Sequence, residues 1–525
     1  MIIDWRREER PSSISADILI VGSGAVGLTM AIDLSRRGRK VTVLEAGGRK
    51  LESASQAFFS AAEWCGMPLP GLHQGRFRML GGTTNFWGGQ LVQFDPVVFR
   101  SRQWVSEVSW PMSSEHLEQY YDRARMLLGL PNVLAGSDLW KAINVVPPDP
   151  HDEIESFFSA WIGQPNFAQL FASDLASNVD LQVFVNAPVV QLETERGDAR
   201  VTGVWVRSDD GRTTLVRANH VVLANGTIEI TRLLKQRTSG GEQPSWVHNR
   251  WLGHGFMDHV DAYAGQVQPI DKRRFHDLFD NVYHGSIKYT PKLKLSERSQ
   301  RERSLLGIAA HFLFRSSLES HVANLKNAVK TVMVSGFQRE VISWATLKSG
   351  LALLRILGPM SLRYLRDQRI YNLADGGITL RLTSEHAPRY ESALRMTDRE
   401  DELGLPIVSV DWRVPEETVV TMSHFARLLR DYLREGRLAD LALDSALEAA
   451  APSFLKKCDD ANHHMGMARM AAAASDGVVD PELKVFGSSN LYVAGAAVFP
   501  TSGFANPTFT AIALGLGLSD RLAAQ

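Results

Sequence analysis

Two adjacent histidines and one asparagine near the carboxyl end of the chain, His463, His464 and Asn506, have side chains suited to acid-base chemistry. An alcohol carbon that loses a hydride must also release its hydroxyl proton, and neutral imidazole is a suitable base near neutral pH. One histidine is sufficient for this step. We therefore take His463 as the candidate base with His464 beside it, although a structural role is the readier interpretation of His464, His254 and His259.

Other catalytic chemistries lack support in the sequence. The chain has no HExxH, no paired CxxC and no GxSxG, so zinc and serine-nucleophile mechanisms are not indicated and no metal site is expected. The two cysteines, Cys65 and Cys458, cannot form a disulfide framework, which fits a reducing compartment.

A nucleotide-binding unit is predicted for residues 17–48. The apolar run from Ile18 to Val21 is typical of a buried parallel strand, and Gly22, Gly24 and Gly27 follow it in GxGxxG spacing. An amphipathic helix and a second apolar strand come next, and that strand ends at Glu45. This pattern predicts a pyrophosphate at the helix N-terminus and ribose hydroxyls on the carboxylate.

The last 35 residues predict a second buried helix that points into an interior site. A short strand, Leu491–Val493, precedes a loop that ends at Asn506 and Pro507, and Pro507 suits the first turn of a helix. Residues 508–522 are so apolar that this helix must be buried. Its positive N-terminal end would stabilise the negative charge of a reduced flavin.

The irregular segment RMLGGTTNFWGGQL, residues 78–91, holds four glycines with threonines and Trp87. Such a composition cannot form a regular element and indicates a backbone that lies against something flat or charged. A plain surface loop is the alternative.

Length and charge narrow the class of protein. A chain of 525 residues with 44% hydrophobic residues can form two or three domains with ample core. A net charge of -1 gives no overall field that would attract nucleic acid. The first residues lack the apolar stretch of a signal peptide, and no uncharged apolar run is long enough to span a membrane. A cytoplasmic protein is expected.

Three further regions complete the predicted organisation. Residues 181–223 predict an antiparallel meander, and residues 225–234 begin a helix at a second strand-to-helix turn. Residues 260–317 and 375–412 alternate as strands and suggest the sheet of a second domain. Between them, residues 321–371 read as a basic, apolar helical insert that packs on its own domain or contacts a membrane or partner.

Five segments, taken in chain order, resemble the glucose-methanol-choline (GMC) flavin oxidoreductases. They are VGSGAVG with Glu45, GGTTNFWGG, VVLANGTIEITRLL, LGHGFMDHV, and HHMGMARM with NLYVAGAAVFPTSGFANPTFTAIAL. The HHMG and SGFANPT forms look most like the branch of pyranose oxidases and bacterial glycoside 3-oxidases. The resemblance implies FAD as cofactor, His463 as base and Asn506 as its partner on the substrate oxygen. Phe86 stands where some pyranose oxidases carry a flavin-linked histidine, so noncovalent FAD is expected.

These motifs together give the expected cofactor contacts: Gly22, Gly24, Ala25, Gly27, Glu45, Ala46, Gly81, Gly82, Thr84, Asn85, Phe86, Trp87, Gly88, Val189, Ala224, Gly495, Ala496, Pro507 and Thr508.

The expected fold is α/β, with a Rossmann-like FAD-binding domain that contains the meander and is interleaved with an α+β substrate-binding domain. The FAD domain is assigned to residues 15–100, 180–260 and 460–525, and the substrate domain to 101–179 and 261–459.

The expected reaction oxidises an alcohol, in particular a secondary hydroxyl of a sugar or glycoside. Oxidation of a lipid-like or sterol alcohol and a flavin-retaining lyase remain alternatives, and a plain NAD dehydrogenase is disfavoured by the C-terminal segment. The reacting sugar carbon and the electron acceptor stay open.

Overall fold

The computed structural model describes residues 1–6, 14–134, 136–195, 200–238, 243–316, 358–359, 361–369, 372 and 374–525. Most of the helical insert predicted for 321–371 lies outside these residues, so its membrane or partner contact stays a prediction.

The helices that the structure describes with full bounds are α1 (Ala25–Arg36), α2 (Ser53–Ala57), α3 (Gly71–Gln74), α4 (Pro96–Phe99), α5 (Ser114–Leu127), α6 (Gly136–Ala142), α7 (Phe167–Leu170), α8 (Ala172–Ser177), α9 (Thr227–Leu234), α10 (Lys272–Phe279), α11 (Glu297–Arg303), α12 (Glu417–Glu435), α13 (Ser445–Glu448) and α14 (Pro507–Ala524). Short 3₁₀ turns lie at Phe58–Ala61, Gly82–Asn85, Ser245–His248, Pro452–Lys457 and Ala496–Val498.

The first sheet carries the predicted nucleotide-binding unit. In spatial order its strands are β1 (Ile2–Asp4), β7 (Leu181–Val185), β3 (Val41–Leu44), β2 (Ile14–Val21), β10 (Thr213–Leu223), β9 (Val201–Arg207) and β8 (Val189–Thr194), and β20 (Leu491–Val493) also pairs with β10. Strand β2 is parallel to both β3 and β10. Its apolar residues are buried on both faces, as expected of a parallel strand covered by helices.

The predicted meander is correct for β8, β9 and β10, which pair antiparallel in turn. It is wrong for Leu181–Val185, which pairs parallel with β3 and β1. Alternation alone cannot distinguish these cases, because both kinds of strand have a period of two residues and only the tertiary pairing differs.

Helix α14 packs between α1 and α5 beneath this sheet. A Cβ on Gly515 would lie 2.9 Å from a methyl carbon of Val26, so the glycine permits the close approach of α14 to α1. On the other side, the hydroxyls of Tyr121 and Thr510 are hydrogen-bonded at 2.8 Å. These contacts fix where the N-terminus of α14 points.

The second sheet has nine strands. Its spatial order is β18 (Ala439–Leu443), β11 (Val260–Pro269), β15 (Ile378–Ser384), β14 (Ile308–Phe314), β13 (Ile287–Leu295), β6 (Ile154–Trp161) and β5 (Gln90–Leu91), with β12 (Val282–His284) on β13 and β19 (Cys458–Asp460) on β11. One face is apolar and packs with α12, whose Val419, Met422, Phe425 and Leu429 are buried in the same core. The other face carries polar side chains.

A third sheet corrects the prediction for 375–412. Only Ile378–Ser384 joins the second sheet. Strands β16 (Ala393–Glu400) and β17 (Pro406–Trp412) pair antiparallel with each other, and β17 pairs with β4 (Glu63–Gly66). The α/β fold is confirmed, and the predicted domain boundaries stay a prediction. Among the residues that the model describes, no helix is both long and apolar enough to cross a membrane.

Candidate active site

A cavity of about 320 Å³ opens where the C-terminal ends of the parallel strands of the first sheet meet the C-terminal loop. This is the position at which open α/β sheets bind ligands. The expected contacts that line it are Gly22, Gly24, Ala25, Glu45, Ala46, Gly82, Val189, Ala224, Gly495, Ala496, Pro507 and Thr508, together with His463 and His464.

The three glycines of the GxGxxG motif have different physical roles. Gly22 has φ +99°, and a Cβ there would lie 2.7 Å from the carbonyl oxygen of Ala224. A Cβ on Gly27 would lie 2.1 Å from the carbonyl oxygen of Gly22, so this residue serves the packing of α1 and does not line the cavity. A Cβ on Gly24 would meet nothing within 4 Å, because it would project into the cavity. Gly24 therefore keeps space open at the N-terminus of α1.

That N-terminus is prepared for an anion. Helix α1 has no side-chain cap and no acidic residue in its first turn, so its first N–H groups are available to a ligand. Helix α14 likewise has no acidic residue in its first turn, and its Pro507 and Thr508 line the same cavity. The prediction that this buried helix points into an interior site is confirmed by its position.

Glu45 lies in the cavity wall with both carboxylate oxygens engaged. Ser23 donates to Oε2 from its backbone N at 3.0 Å and from its hydroxyl at 2.6 Å, and the backbone N of Gly47 donates to Oε1 at 2.9 Å. Burial raises the pKa of Glu45, and these hydrogen bonds oppose the rise. Because each oxygen can accept two bonds, Oε1 keeps an acceptor site for a ribose hydroxyl.

A buried polar atom in the wall also lacks a protein partner. Oδ1 of Asn225 is buried without a hydrogen bond among the described residues, and Asn225 lines the cavity. The open space at Gly24, two uncapped helix N-termini, the Glu45 carboxylate and this amide oxygen fit a dinucleotide that carries a pyrophosphate and ribose hydroxyls.

The glycine-rich loop contributes less of the wall than expected. Gly82 lines the cavity, but Gly81, Thr84, Asn85, Phe86, Trp87 and Gly88 do not. Asn85 donates to the carbonyls of Leu80 and Gly82, and Trp87 donates from Nε1 to the carbonyl of Pro165 at 2.7 Å. Phe86 is 54% exposed and stacks on Phe77 with ring centroids 4.0 Å apart. Most of these side chains therefore hold the loop in shape.

Sequence reasoning missed one side of the cavity. Phe58, Arg76, Arg78, Leu403 and Leu405 close it, although they come from three distant segments. The guanidinium of Arg78 lies 4.5 Å from the ring centroid of Phe58. No spacing in the sequence connects these segments, because they meet only through the third sheet and its neighbouring loops.

Further missed contacts follow the second strand-to-helix turn, where Asn225, Gly226, Thr227, Ile228 and Glu229 line the cavity. The sequence predicts this strand-to-helix turn at residues 225–234, and its glycine is the signal that indicates a close approach to a ligand.

His463 lies at the end of the cavity, between two side chains. Its Nδ1 is 2.8 Å from Nδ1 of His259, and its Nε2 is 3.2 Å from Nδ2 of Asn506. Nε2 of His259 is in turn 2.9 Å from the carbonyl oxygen of Gly503. Asn506 does not line the cavity, but it does contact the candidate base. The interpretation of His259 as a merely structural histidine overlooked this contact.

The carbonyl of Gly503 determines where the protons of this chain lie. A carbonyl only accepts, so Nε2 of His259 carries a proton and, in a neutral ring, its Nδ1 is an acceptor. Nδ1 of His463 must then donate to it, and Nε2 of His463 is left with a lone pair. Asn506 donates to that lone pair through Nδ2. The network therefore presents His463 as a base at Nε2.

Burial keeps these histidines neutral. It lowers the pKa of His463 to about 3, with smaller contributions from His464 and from the charges of Lys292 and Arg381. Burial, followed by the neighbouring His463, lowers the pKa of His259 to about 3 as well. A neutral base is thus available near neutral pH.

The loop that carries His463 is held by Asp258. Its carboxylate accepts from the backbone N of His463 at 2.9 and 3.0 Å and from that of Ala461 at 3.2 Å. Asp258, Asp460 and His464 offer ligand atoms within 4.8 Å of one another. The carboxylate of Asp460 also accepts a backbone N–H, from Gly71 at 2.8 Å, so both acids already serve the chain.

His464 has a different setting from His463. Its backbone carbonyl accepts from the Thr227 hydroxyl at 2.6 Å, and its Nε2 is buried without a hydrogen bond among the residues described. Burial lowers its pKa to about 3, and the charge of Arg76 adds to this. His464 therefore lies on the cavity wall as a neutral ring, with its Nε2 3.8 Å from Oδ2 of Asp258.

Comparison with known proteins agrees with this geometry. Residues 17–245 match the family model described as FAD dependent oxidoreductase, and residues 388–515 match the model described as GMC oxidoreductase. Paromamine 6'-oxidase of Streptomyces fradiae is 22% identical over 94% of this chain and 88% of its own length. The fructose dehydrogenase large subunit of Gluconobacter japonicus is 22% identical over 97% of this chain and 98% of its own length.

A solved structure of pyridoxine 4-oxidase from Mesorbium loti superposes with a TM-score of 0.58 at 15% identity, and the match covers 96% of this chain and 99% of that one. It shows the same fold. The two matched family models, together with the cavity, define a flavoprotein oxidoreductase with FAD as its cofactor. The chain belongs to the GMC oxidoreductase family. Its place in the pyranose oxidase branch, the noncovalent state of its FAD and its cytoplasmic location stay predictions.

Proposed function

We propose that this chain oxidises a secondary hydroxyl of a sugar or glycoside to a ketone, with His463 as the base. The chain is an FAD-dependent enzyme of GMC type that acts on CH–OH donors. The observation that carries the proposal is the pair formed by Nε2 of His463 and Nδ2 of Asn506, 3.2 Å apart at the end of the cofactor cavity.

FAD, when bound, supplies the acceptor for the hydride. The residues of the chain manage the proton. A substrate hydroxyl placed between His463 and Asn506 donates its proton to Nε2 and accepts a hydrogen bond from Nδ2, so the amide orients the oxygen. The Nδ1–H of His463 keeps its bond to His259 while the ring becomes an imidazolium, because the neutral acceptor stays in place.

A polar substrate is favoured by the second sheet. The face opposite α12 carries Asp261, Lys292, His311, Arg381 and Thr383, and the ring centroids of Phe157 on this face and Phe504 of the C-terminal loop lie 5.5 Å apart. Hydrogen-bonding groups of this kind match the hydroxyls of a sugar better than a lipid-like or sterol alcohol. The named activities of the relatives on paromamine and fructose point the same way.

The test is anaerobic mixing of the FAD-loaded protein with sugars, glycosides, sterols and long-chain alcohols while the oxidised-flavin absorbance is recorded. Bleaching by sugars or glycosides is expected, and the product should carry a ketone. Bleaching only by sterols or long-chain alcohols would replace the proposed substrate class. Absence of bleaching with every alcohol would favour the flavin-retaining lyase.

A further inference from the structure

Three basic side chains lie in one row across the polar face of the second sheet. His311 on β14 is paired with Arg381 on β15. The antiparallel register of Leu293 with Ala310 places Lys292 on β13 beside His311. Side chains directly opposite on neighbouring strands lie about 5 Å apart at Cβ. We call Lys292, His311 and Arg381 the basic row.

The charges of the basic row do not cancel. Arg381 forms an ion pair with Asp261, whose other oxygen accepts from the Thr383 hydroxyl at 2.5 Å. Lys292 has only a long hydrogen bond, 3.3 Å, to the amide oxygen of Gln90, and it forms no ion pair with a carboxylate of the described residues. Asp261 therefore neutralises Arg381, and the ammonium of Lys292 is a surplus positive charge.

The surroundings make this surplus costly. Burial lowers the pKa of Lys292 to about 8; the nearby Asp261 raises it by less, and Arg381 lowers it a little further, so the side chain is still mostly charged at neutral pH. The pKa of His311 lies well below its usual value, first through burial and then through the charge of Lys292, so His311 is a neutral hydrogen-bonding group. All three side chains of the row are half-buried, so the charge of Lys292 is only partly hydrated, and an anionic ligand would compensate it.

The basic row faces the catalytic pair. His259, whose Nδ1 is 2.8 Å from Nδ1 of His463, lies just before β11 in the chain. Phe157, which is paired with Lys292, packs on Phe504 of the loop that leads to Asn506. Asp261 follows His259 by two residues on the same segment. The row and the His463–Asn506 pair therefore border the same space.

We propose that the basic row binds an anionic group, a carboxylate or a phosphate, that the substrate alcohol carries, with Lys292 as its ion-pair partner. The inference rests on the proposed function and narrows its substrate class to acidic sugars and glycosides. His311 and Arg381 add hydrogen bonds to the same group, and the hydroxyl to be oxidised then reaches His463. Arginine and lysine together are typical partners of such anions.

The test compares FAD-loaded wild-type enzyme with Lys292→Met, which keeps the aliphatic stem and removes the charge. The matched control is Lys288→Met, because Lys288 projects from the same face of β13 about 13 Å away, at 3.3 Å per residue, and lies over the ring of Trp161. Substrates are a methyl glucoside, the corresponding methyl glucuronide and the glucoside 6-phosphate, each mixed anaerobically.

Wild-type enzyme should reach half-maximal flavin reduction at a lower concentration of an anionic substrate than of the neutral glucoside. Lys292→Met should raise that concentration about 10- to 100-fold for the anionic substrate, the range of a lost charged hydrogen bond, and by a clearly smaller factor for the neutral glucoside, which loses no ion pair. Lys288→Met should behave as wild type. Comparison of the methyl glucuronide with the glucoside 6-phosphate shows whether the site prefers a carboxylate or a phosphate.

Two outcomes would overturn the inference and leave the proposed function standing. The wild type could prefer the neutral glucoside, or Lys292→Met could raise the half-maximal concentration equally for neutral and anionic substrates. If no alcohol bleaches the flavin, the proposed function fails instead. The anion site can then still be tested by the thermal shift that a non-oxidisable acid, cyclohexanecarboxylate, gives the wild type. A shift absent in Lys292→Met supports the site, and an equal shift in both overturns it.

Discussion

Nδ1 of His259 and Nδ1 of His463 lie 2.8 Å apart, and the carbonyl of Gly503 at the far nitrogen of His259 determines which of the two rings donates. His259 is thus a positioning residue that acts through His463. It holds the base in the one neutral tautomer that leaves Nε2 free for a proton.

His259→Phe should reduce the rate of flavin reduction about 10- to 100-fold, since it removes the acceptor of a hydrogen bond that strengthens when His463 becomes charged. His259→Gln should recover most of the rate, because its amide oxygen can accept from His463 while its nitrogen donates to Gly503. Flavin content and substrate Kd should be similar in both variants. Equal losses in the Phe and Gln variants would indicate a structural role only. The measurement is anaerobic stopped-flow reduction.

His463→Ala should retain the fold and the flavin, while flavin reduction slows by about 10² to 10⁴, the usual contribution of a positioned general base. Asn506→Ala should lose less, because it removes a hydrogen bond that orients the oxygen but leaves the base. His464→Ala should lose least, since the two ring nitrogens of His463 are engaged by His259 and Asn506 and not by His464. A greater loss in His464→Ala than in His463→Ala would reverse the assignment.

Gly24→Ala and Gly27→Ala form a matched pair. Gly24 has φ -70° and its Cβ would enter the cavity, so Gly24→Ala should stabilise the cofactor-free chain by about 0.4 to 1 kcal/mol while it weakens FAD binding. Gly27→Ala should destabilise the chain with or without FAD, because its Cβ would lie 2.1 Å from the carbonyl oxygen of Gly22. Denaturant unfolding and FAD titration distinguish the two. Unchanged FAD affinity in Gly24→Ala would place the pyrophosphate elsewhere.

Glu45→Ala should weaken FAD binding by about 1 to 3 kcal/mol, the cost of leaving polar groups without their charged acceptor. Glu302→Ala is the control, because Glu302 is an exposed residue of α11 whose ion-pair partner among the described residues is Arg298 on the same helix. Equilibrium dialysis of FAD measures both variants. If Glu45→Ala keeps wild-type affinity, another group holds the ribose.

Stability should fall as the pH drops below about 6.5. The folded chain keeps His259, His463 and His464 neutral down to a pKa of about 3, whereas the unfolded chain takes up protons at the ordinary histidine pKa. The unfolded state therefore binds more protons in this range, and each such group removes about 1.4 kcal/mol per pH unit.

Three carboxyls act in the opposite direction. Burial raises the pKa of Asp460 to about 6, that of Asp258 well above its usual value, and that of Glu45 as well, so their protonation favours the folded state as the pH falls. Burial also lowers the pKa of His386 to about 4 and that of His311 well below its usual value, so histidines outnumber these acids and the net effect is a loss. Urea midpoints at fixed excess FAD between pH 7.5 and 5 measure the slope, which should be shallower in His386→Gln. A midpoint that rises on acidification would contradict this balance.

The sequence alone determined those parts of the protein whose physics is local. The strand, glycine turn, helix and Glu45 of the nucleotide unit follow from a hydrophobic pattern and from backbone needs that neighbouring residues express. Helix α14 was predicted from its composition, and His463 with Asn506 was selected by its chemistry and by family resemblance. These features needed no knowledge of distant contacts.

Only the tertiary structure decided which residues lie beside the nucleotide unit, α14 and His463. His259 precedes His463 by about two hundred residues, and only the pairing of the second sheet with the C-terminal loop brings their rings to 2.8 Å. The pairing of Leu181–Val185 with β3, the cavity wall made by Phe58 and Leu403, and the row of Lys292, His311 and Arg381 arise in the same way. Strand order and register are set by global packing, which no local pattern in the chain records.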